Sequence, residues 1–197
     1  MAERGSLYVI SAPSGAGKNA LLGEVRRRET RIASTVSATT RAPRPGERNG
    51  VDYYFLDRET FKHRVAAGDF AEWAEVHGNL YGTLRSELNR CLATGSDVIL
   101  ELDVQGMRSL KSLYPGVETV FLAPPSMEEL ERRLRSRGTN DEADIALRMR
   151  NAGTEMAASS EFDCIIVNDT IDRAAAEMVE LLAARRAART AADADIR

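Results

Sequence analysis

The sequence predicts an α/β protein with a parallel sheet covered by helices on both faces. Three observations carry the prediction. Short apolar runs recur at Leu7–Ile10, within Asp97–Asp103, at Thr119–Ala123 and at Cys164–Val167. Segments with helical periodicity separate them, and a glycine-rich loop joins the first run to the first helix. Strands buried on both faces read as continuous apolar stretches rather than alternating ones, and their alternation with helices is the pattern of a parallel sheet.

The chain has 197 residues, 43% hydrophobic and 29% charged, with a net charge of −3. That length supports one substantial core with small inserted lobes, and the charge gives no global bias toward nucleic acid or an anionic membrane. The two cysteines, Cys91 and Cys164, and the two histidines, His63 and His77, are scattered, which argues against a structural zinc site. Cys164 sits in an apolar run and reads as a buried thiol. The N-terminal residues lack the apolar core of a signal peptide and no apolar run approaches ~20 residues, so a reduced, cytoplasmic setting is expected.

The first strand runs into Ser11-Ala12-Pro13-Ser14-Gly15-Ala16-Gly17-Lys18-Asn19. Strand, glycine-rich loop, lysine and helix is the context in which backbone N–H groups wrap a phosphate and the helix N-terminus adds its positive end. The lysine supplies a mobile charge for the β- and γ-phosphates. Two residues depart from the pattern G-x-x-x-x-G-K-[ST]: Ala12 replaces the first glycine and Asn19 replaces the metal-binding hydroxyl.

A helix is expected over Ala20–Glu29, with Leu21, Leu22 and Val25 as its apolar stripe and Arg26–Arg28 at its negative end. Ser34–Ser37 is β-prone. The loop Ala38–Gly50 holds two prolines, two glycines, Asn-Gly, and the arginines Arg41, Arg44 and Arg48. Arginines in a surface loop can serve solubility alone, but rigid proline spacing with hydroxyls nearby also builds an anion site. Val51–Leu56 reads as a strand, Arg58–Ala67 as a helix ended by Gly68, Phe70–Val76 as an extended segment, and Leu84–Ala93 as a helix closed by Gly95.

The next core strand, Asp97–Asp103, ends in Glu101 and Asp103. Carboxylates at that end of a parallel strand lie beside the ligand crevice, where one can orient Mg²⁺ directly or through water. Helices follow at Gly106–Leu113, from the capping box at Ser126 to Gly138, and at Ala143–Ala158, with Glu129 placed to pair with Arg133. Arg133, Arg137 and Arg148 flank a polar connector, the arrangement a phosphate-closing lid needs. Cys164–Val167 is the last buried strand, the final helix spans about Ile171–Arg189, and the tail Ala191–Arg197 is expected to fray.

At this point the sequence resembles the guanylate kinases across about residues 6–185. Four stretches carry the resemblance: Ser11–Lys18; Val36–Glu47, with Thr40-Arg41-Ala42-Pro43-Arg44-Pro45-Gly46-Glu47; Leu102-Asp103-Val104-Gln105-Gly106; and Ala123-Pro124-Pro125-Ser126 leading to Arg137-Gly138-Thr139. The resemblance implies an α/β, P-loop NTPase-type parallel sheet with helices on both faces, an inserted GMP-binding lobe and a helical lid. The implied division is a core of 1–34, 96–135 and 156–197, a lobe of 35–95 and a lid of 136–155.

The implied activity is transfer of the γ-phosphoryl of ATP to GMP, with Mg²⁺ entering as MgATP. Arg41 and Arg44 match the arginines that grip the GMP phosphate, with Tyr53 and Tyr81 beside them. Ser37, Glu72, Thr83 and Asp103 match the groups that recognise guanine. Lys18, Arg133, Arg137 and Arg148 match residues around the ATP phosphates, and Asn168 falls where the family places the adenine. Asn19 and Glu101 are the metal candidates, directly or through water. The partners implied are ATP and GMP, in a monomer or homodimer, with no nucleic acid and no membrane. A peptide-binding scaffold of the same fold typically lacks a working phosphate loop, which Lys18 argues against. A ribose bisphosphate kinase tolerates a residue without a hydroxyl after the lysine, but would not need Ser37, Glu72, Thr83 and Asp103.

Overall fold

The structure is a computed structural model that describes residues 4–76, 78–136 and 141–195, with side chains through 191. In chain order the elements are β1 (Leu7–Ser11), α1 (Lys18–Arg28), β2 (Ile32–Ala33), β3 (Ala38–Thr39), β4 (Tyr54–Phe55), α2 (Arg58–Ala66), β5 (Phe70–Val76), β6 (Asn79–Leu84) and α3 (Arg85–Ala93). They continue with β7 (Asp97–Glu101), α4 (Val104–Leu113), β8 (Glu118–Ala123), α5 (Met127–Ser136), α6 (Glu142–Ala157), a 3₁₀ turn (Ser159–Glu161), β9 (Cys164–Val167) and α7 (Ile171–Asp195). Five strands form a sheet in the order β2-β7-β1-β8-β9, with parallel registers such as Ile32 opposite Asp97 and Leu122 opposite Ile166. The predicted parallel α/β sheet is present.

The chain divides into two compact units, Met1–Tyr8 with Arg31–Val117 and Val9–Thr30 with Glu118–Arg197. The first holds a second, four-stranded sheet in the order β4-β3-β6-β5. Its packed face is Ala38, Phe61, Phe70, Leu80 and Leu84, with Phe61 stacked on Phe70 at 4.3 Å between ring centroids. Asp57 caps α2 by accepting from the Thr60 N–H at 2.7 Å, a contact that replaces an orphan helix-end bond.

Two strand expectations in this unit fail. Ser34–Ser37 forms no strand: the strands lie on either side of it, in β2 and β3, and its end contributes the Ser37 carbonyl, which accepts from the Tyr54 N–H at 2.9 Å. Val51–Leu56 keeps only Tyr54 and Phe55 as strand. The Arg48 carbonyl accepts from both Val51 and Asp52, so a turn consumes the first half of that segment.

In the second unit, α5 and α6 pack through Leu130, Leu134 and Ala152. Ser126 caps α5 as its capping box predicts, accepting from the Glu129 N–H at 3.2 Å. Glu29 and Arg186, both nearly buried, pair at 2.5 Å and tie the end of α1 to α7. The last strand is not buried throughout: it lies at the sheet edge, so only Ile166 is enclosed, Ile165 and Val167 are exposed and Cys164 is half-buried. The last helix also continues past Arg189 to Asp195, so the expected fraying does not begin at Ala191. Its Ala-rich end favours helix. Among the described residues no helix is long and apolar enough to cross a membrane.

Candidate functional site

The first unit contains a cavity of about 920 Å³ whose wall includes Ser37, Tyr53, Glu72, Tyr81, Glu101 and Asp103. The antiparallel pair β5–β6 places Glu72 opposite Thr83 just after a register shift. The Thr83 side chain is therefore buried behind the wall, and its hydroxyl donates to Glu72 Oε1 at 2.7 Å. Burial pushes the Glu72 carboxyl above the usual glutamate range, while Thr83 pulls it back and the charge of Asp103 adds to the rise. The Thr83 backbone N–H also bonds this carboxylate, so Thr83 holds Glu72 through both its hydroxyl and its main chain on the cavity wall.

Asp103 lies beyond the end of β7, which stops at Glu101, and caps α4 by accepting from the Gly106 N–H at 2.7 Å. That cap starts the helix at Val104, two residues before the expected Gly106. Glu101 is exposed and shares the cavity with Glu72 and Asp103.

The arginine-proline loop adjoins this cavity through its tyrosines. The Arg41 guanidinium carbon sits 5.5 Å from the Tyr53 ring centroid, and Arg41 also bonds the Tyr81 side chain. The two tyrosine rings meet edge to face at 6.2 Å. Arg41 donates to both oxygens of Glu47 at 2.8 and 3.0 Å, and the Arg44 backbone N–H donates to Glu47 Oε2 at 2.7 Å. The arginine and that N–H hold the Glu47 carboxyl below its usual range. The sequence reading missed Glu47 as a site residue; its signal was an acid three residues beyond Arg44 in a Pro-Gly turn. The Arg44 side chain is exposed. Glu87 was also missed. It is buried beneath the same lobe, where it accepts from Val36 N–H and Arg90 and meets Tyr54.

The second unit holds the glycine-rich loop. Gly15 and Gly17 have φ of 99° and 94°, the left-handed region that an unbranched residue without Cβ adopts at low cost. A Cβ on Gly15 would meet Leu134 at 2.9 Å, so the loop also packs tightly on α5. The Ala16 N–H closes a turn onto the Pro13 carbonyl at 3.0 Å. Helix α1 begins at Lys18, two residues earlier than expected, with no side-chain cap and no acid in its first turn. Uncapped N–H groups at a helix start bind anions. Ser11, Pro13 and Ala16 are buried, Ala12 is half-buried, and Ser14 and Asn19 are exposed.

Arg148 on α6 reaches this loop and donates to Ser14 Oγ at 2.6 Å. Arg133 pairs with Glu129 at 2.8 Å, as the spacing predicts, and also donates to the Asn168 carbonyl at 3.0 Å. Arg132 and Arg133 hold the Glu129 carboxyl down at about 2. Asn168, just past β9, is buried and its amide donates to the Ala16 carbonyl at 2.6 Å. Arg137 lies outside the described residues. Among the described residues no three His, Cys, Asp or Glu side chains cluster as a metal site. The amide oxygen of Asn19 and the carboxylate of Glu101 are hard donors of the kind Mg²⁺ takes.

Comparison with known proteins yields one family. The family described as guanylate kinase matches residues 4–185. A guanylate kinase of Alkalilimnicola ehrlichii is 49% identical over 182 residues, 92% of this chain and 90% of the relative. One of Thermosynechococcus vestitus is 51% identical over 171 residues, 87% and 90% of the respective chains. The crystal structure of guanylate kinase from Anaplasma phagocytophilum superposes with a TM-score of 0.66 at 35% identity, covering 93% of this chain and 87% of that one.

Proposed function

Because this chain belongs to the guanylate kinase family and is an ATP:GMP phosphotransferase, we propose that Glu72 selects the acceptor and that the loop Ser11–Lys18 holds the donor. The observation that carries the reading is the half-buried Glu72 carboxylate, pinned by Thr83 on a cavity wall. Guanine presents N1–H and a 2-amino group side by side, which a carboxylate accepts together. Adenine lacks that donor pair and would leave the carboxylate unmatched. Ser37 and Asp103 complete the base contacts.

Arg41 and Arg44, with Tyr53 and Tyr81, take the GMP phosphate. Glu47 fixes the Arg41 fork against two rings, so it is oriented before substrate arrives. On the donor side, the loop N–H groups and Lys18 bind the ATP phosphates. Arg133, Arg137 and Arg148 neutralise the charge that spreads over the transferred group. The attacking group is a phosphate oxygen of GMP, already ionised near neutral pH, so the reading assigns no general base. Mg²⁺ fits the oxygen donors Asn19 and Glu101; when bound it screens the β- and γ-phosphate charge. Residues 35–95 act as the GMP lobe, 136–155 as the lid and the rest as the core, in a cytoplasmic monomer or homodimer.

The test is ADP formation from saturating ATP and Mg²⁺ with GMP, AMP or a ribose phosphate as acceptor. Turnover with GMP alone supports the reading. Absence of ADP with GMP sinks it.

A further inference from the structure

Asn168 has two features that a simple adenine contact does not require. Its side chain is 1% exposed, and its amide nitrogen lies 2.6 Å from the Ala16 carbonyl, across 152 residues of sequence. Only the nitrogen can face that carbonyl, since an oxygen there would oppose a second acceptor, so the hydrogen-bond network fixes the amide's orientation. The remaining atom, Oδ1, is buried with no hydrogen-bond partner among the described residues.

The rest of Asn168 is also fixed. Its backbone N–H donates to the Ala123 carbonyl at 2.8 Å, which continues the β8–β9 ladder by one residue. Its carbonyl accepts from Arg133, which Glu129 holds in turn. The amide is thus mounted on a strand end and a clamped arginine, both rigid supports.

The loop is shaped around this amide. Gly17, at φ 94°, is the residue between Ala16 and Lys18, and a Cβ there would lie 2.5 Å from Asn168 Nδ2. Ala16 itself is fully buried. A peptide unit whose carbonyl is tied back has its N–H side constrained too, because the unit is planar. Tying the Ala16 carbonyl to Asn168 therefore fixes the plane that carries the Gly17 N–H at the start of α1.

We propose that Asn168 is a positioning residue for the phosphate loop: its amide holds the Ala16–Gly17 peptide so that the loop's N–H groups are preset for the phosphates of ATP. Arg133 anchors the same residue by its backbone carbonyl, so one residue joins that arginine to the loop. The inference rests on the assignment of Ser11–Lys18 to the ATP phosphates.

Inorganic tripolyphosphate tests it, because it carries the phosphates without adenine. Calorimetry on the full chain compares wild type with Asn168→Ala and with the equal-volume Asn168→Asp. Affinity for tripolyphosphate and for ATP is expected to fall together, each about tenfold, while affinity for GMP stays within twofold and shows that the protein is folded. The KM for ATP is expected to rise without a matching rise in the KM for GMP. The Gly17 amide is expected to exchange its hydrogen faster in the variants. If ATP binding weakens while tripolyphosphate binding does not, Asn168 acts on the base and the proposal falls. If both variants bind both ligands as wild type does, it falls as well. If wild type itself does not bind tripolyphosphate, the assignment of the loop to phosphates falls with it.

Discussion

Glu72 and Thr83 face each other across β5 and β6, and the Thr83 hydroxyl donates to the Glu72 carboxylate at 2.7 Å. That bond, with a second from the Thr83 backbone, holds the carboxylate on the cavity wall. It also opposes the burial that raises the Glu72 pKa.

Replacing Glu72 with Gln keeps an acceptor for Thr83 but removes the paired acceptance of guanine's two donors. The kcat/KM for GMP should drop by about 10³-fold or more. Stability should move the other way. The folded Glu72 holds its proton more tightly than an unfolded glutamate, so its contribution is largest at acid pH and is lost as pH rises through the raised pKa. At neutral pH the ionised group weakens the ligand-free fold. Glu72→Gln should therefore raise Tm by about 2–4 °C, the change that roughly 1 kcal/mol produces in a chain of this size. Scanning calorimetry without nucleotide reads this directly, and an unchanged or lower Tm contradicts it.

The same shift sets a pH limit on the acceptor. On the proposed reading GMP needs the ionised Glu72 carboxylate, so its KM should climb on acidification before that of a site with an ordinary glutamate would. Thr83→Val removes a group that lowers the Glu72 pKa, and should move the rise in KM to higher pH. Steady-state profiles with GMP varied at fixed MgATP check both. A Thr83→Val profile displaced toward acid would contradict the assignment.

On the proposed reading, Glu47 acts on the GMP phosphate through its pair with Arg41 and not on the base. Glu47→Gln should raise the KM for GMP about tenfold, since a charge-assisted bidentate pair is lost. Binding of guanosine, which lacks the phosphate, should be unchanged. Equal losses for both ligands would show that Glu47 supports the whole lobe rather than the Arg41 fork.

Lys18, on the proposed reading, serves the donor side alone. Lys18→Ala should cut kcat/KM for ATP by about 10²–10³-fold, the usual cost of removing one well-placed charge stabiliser. GMP affinity, measured by calorimetry without ATP, should stay within twofold of wild type.

Glu29 and Arg186 are a structural counterpart to these functional pairs. Glu29→Ala leaves a nearly buried guanidinium without its 2.5 Å carboxylate partner. The cost should be about 2 kcal/mol or more by urea denaturation, with nucleotide specificity unchanged.

The local elements around the candidate site were legible in the sequence because their signals lie within a few residues of one another. The glycines, Lys18 and the apolar strand before them sit within a dozen residues, and their order alone specifies a loop that presents backbone N–H groups. The Ser126 cap and the Glu129–Arg133 pair are three and four residues apart, and both are present. Strand limits were less legible. Ser34–Ser37 has β-prone side chains, yet only its last residue is drawn into pairing, through the Ser37 carbonyl and the Tyr54 N–H, and the strands form on either side, in β2 and β3.

The sequence by itself determined the alternation of strands and helices and the glycine-rich turn between β1 and α1. Tertiary structure decided which residues act together. Local spacing gives Thr83 no partner, but the fold buries it and sets its hydroxyl on the Glu72 carboxylate. Asn168 likewise has no local partner, and its amide donates to a carbonyl 152 residues away. Cys164–Val167 could be read as a fully buried strand, but its place at the sheet edge leaves Ile165 and Val167 exposed. The physical reason is common to all three. Hydrogen-bond direction and burial depend on partners distant in the chain, and local spacing encodes only what lies within a few residues.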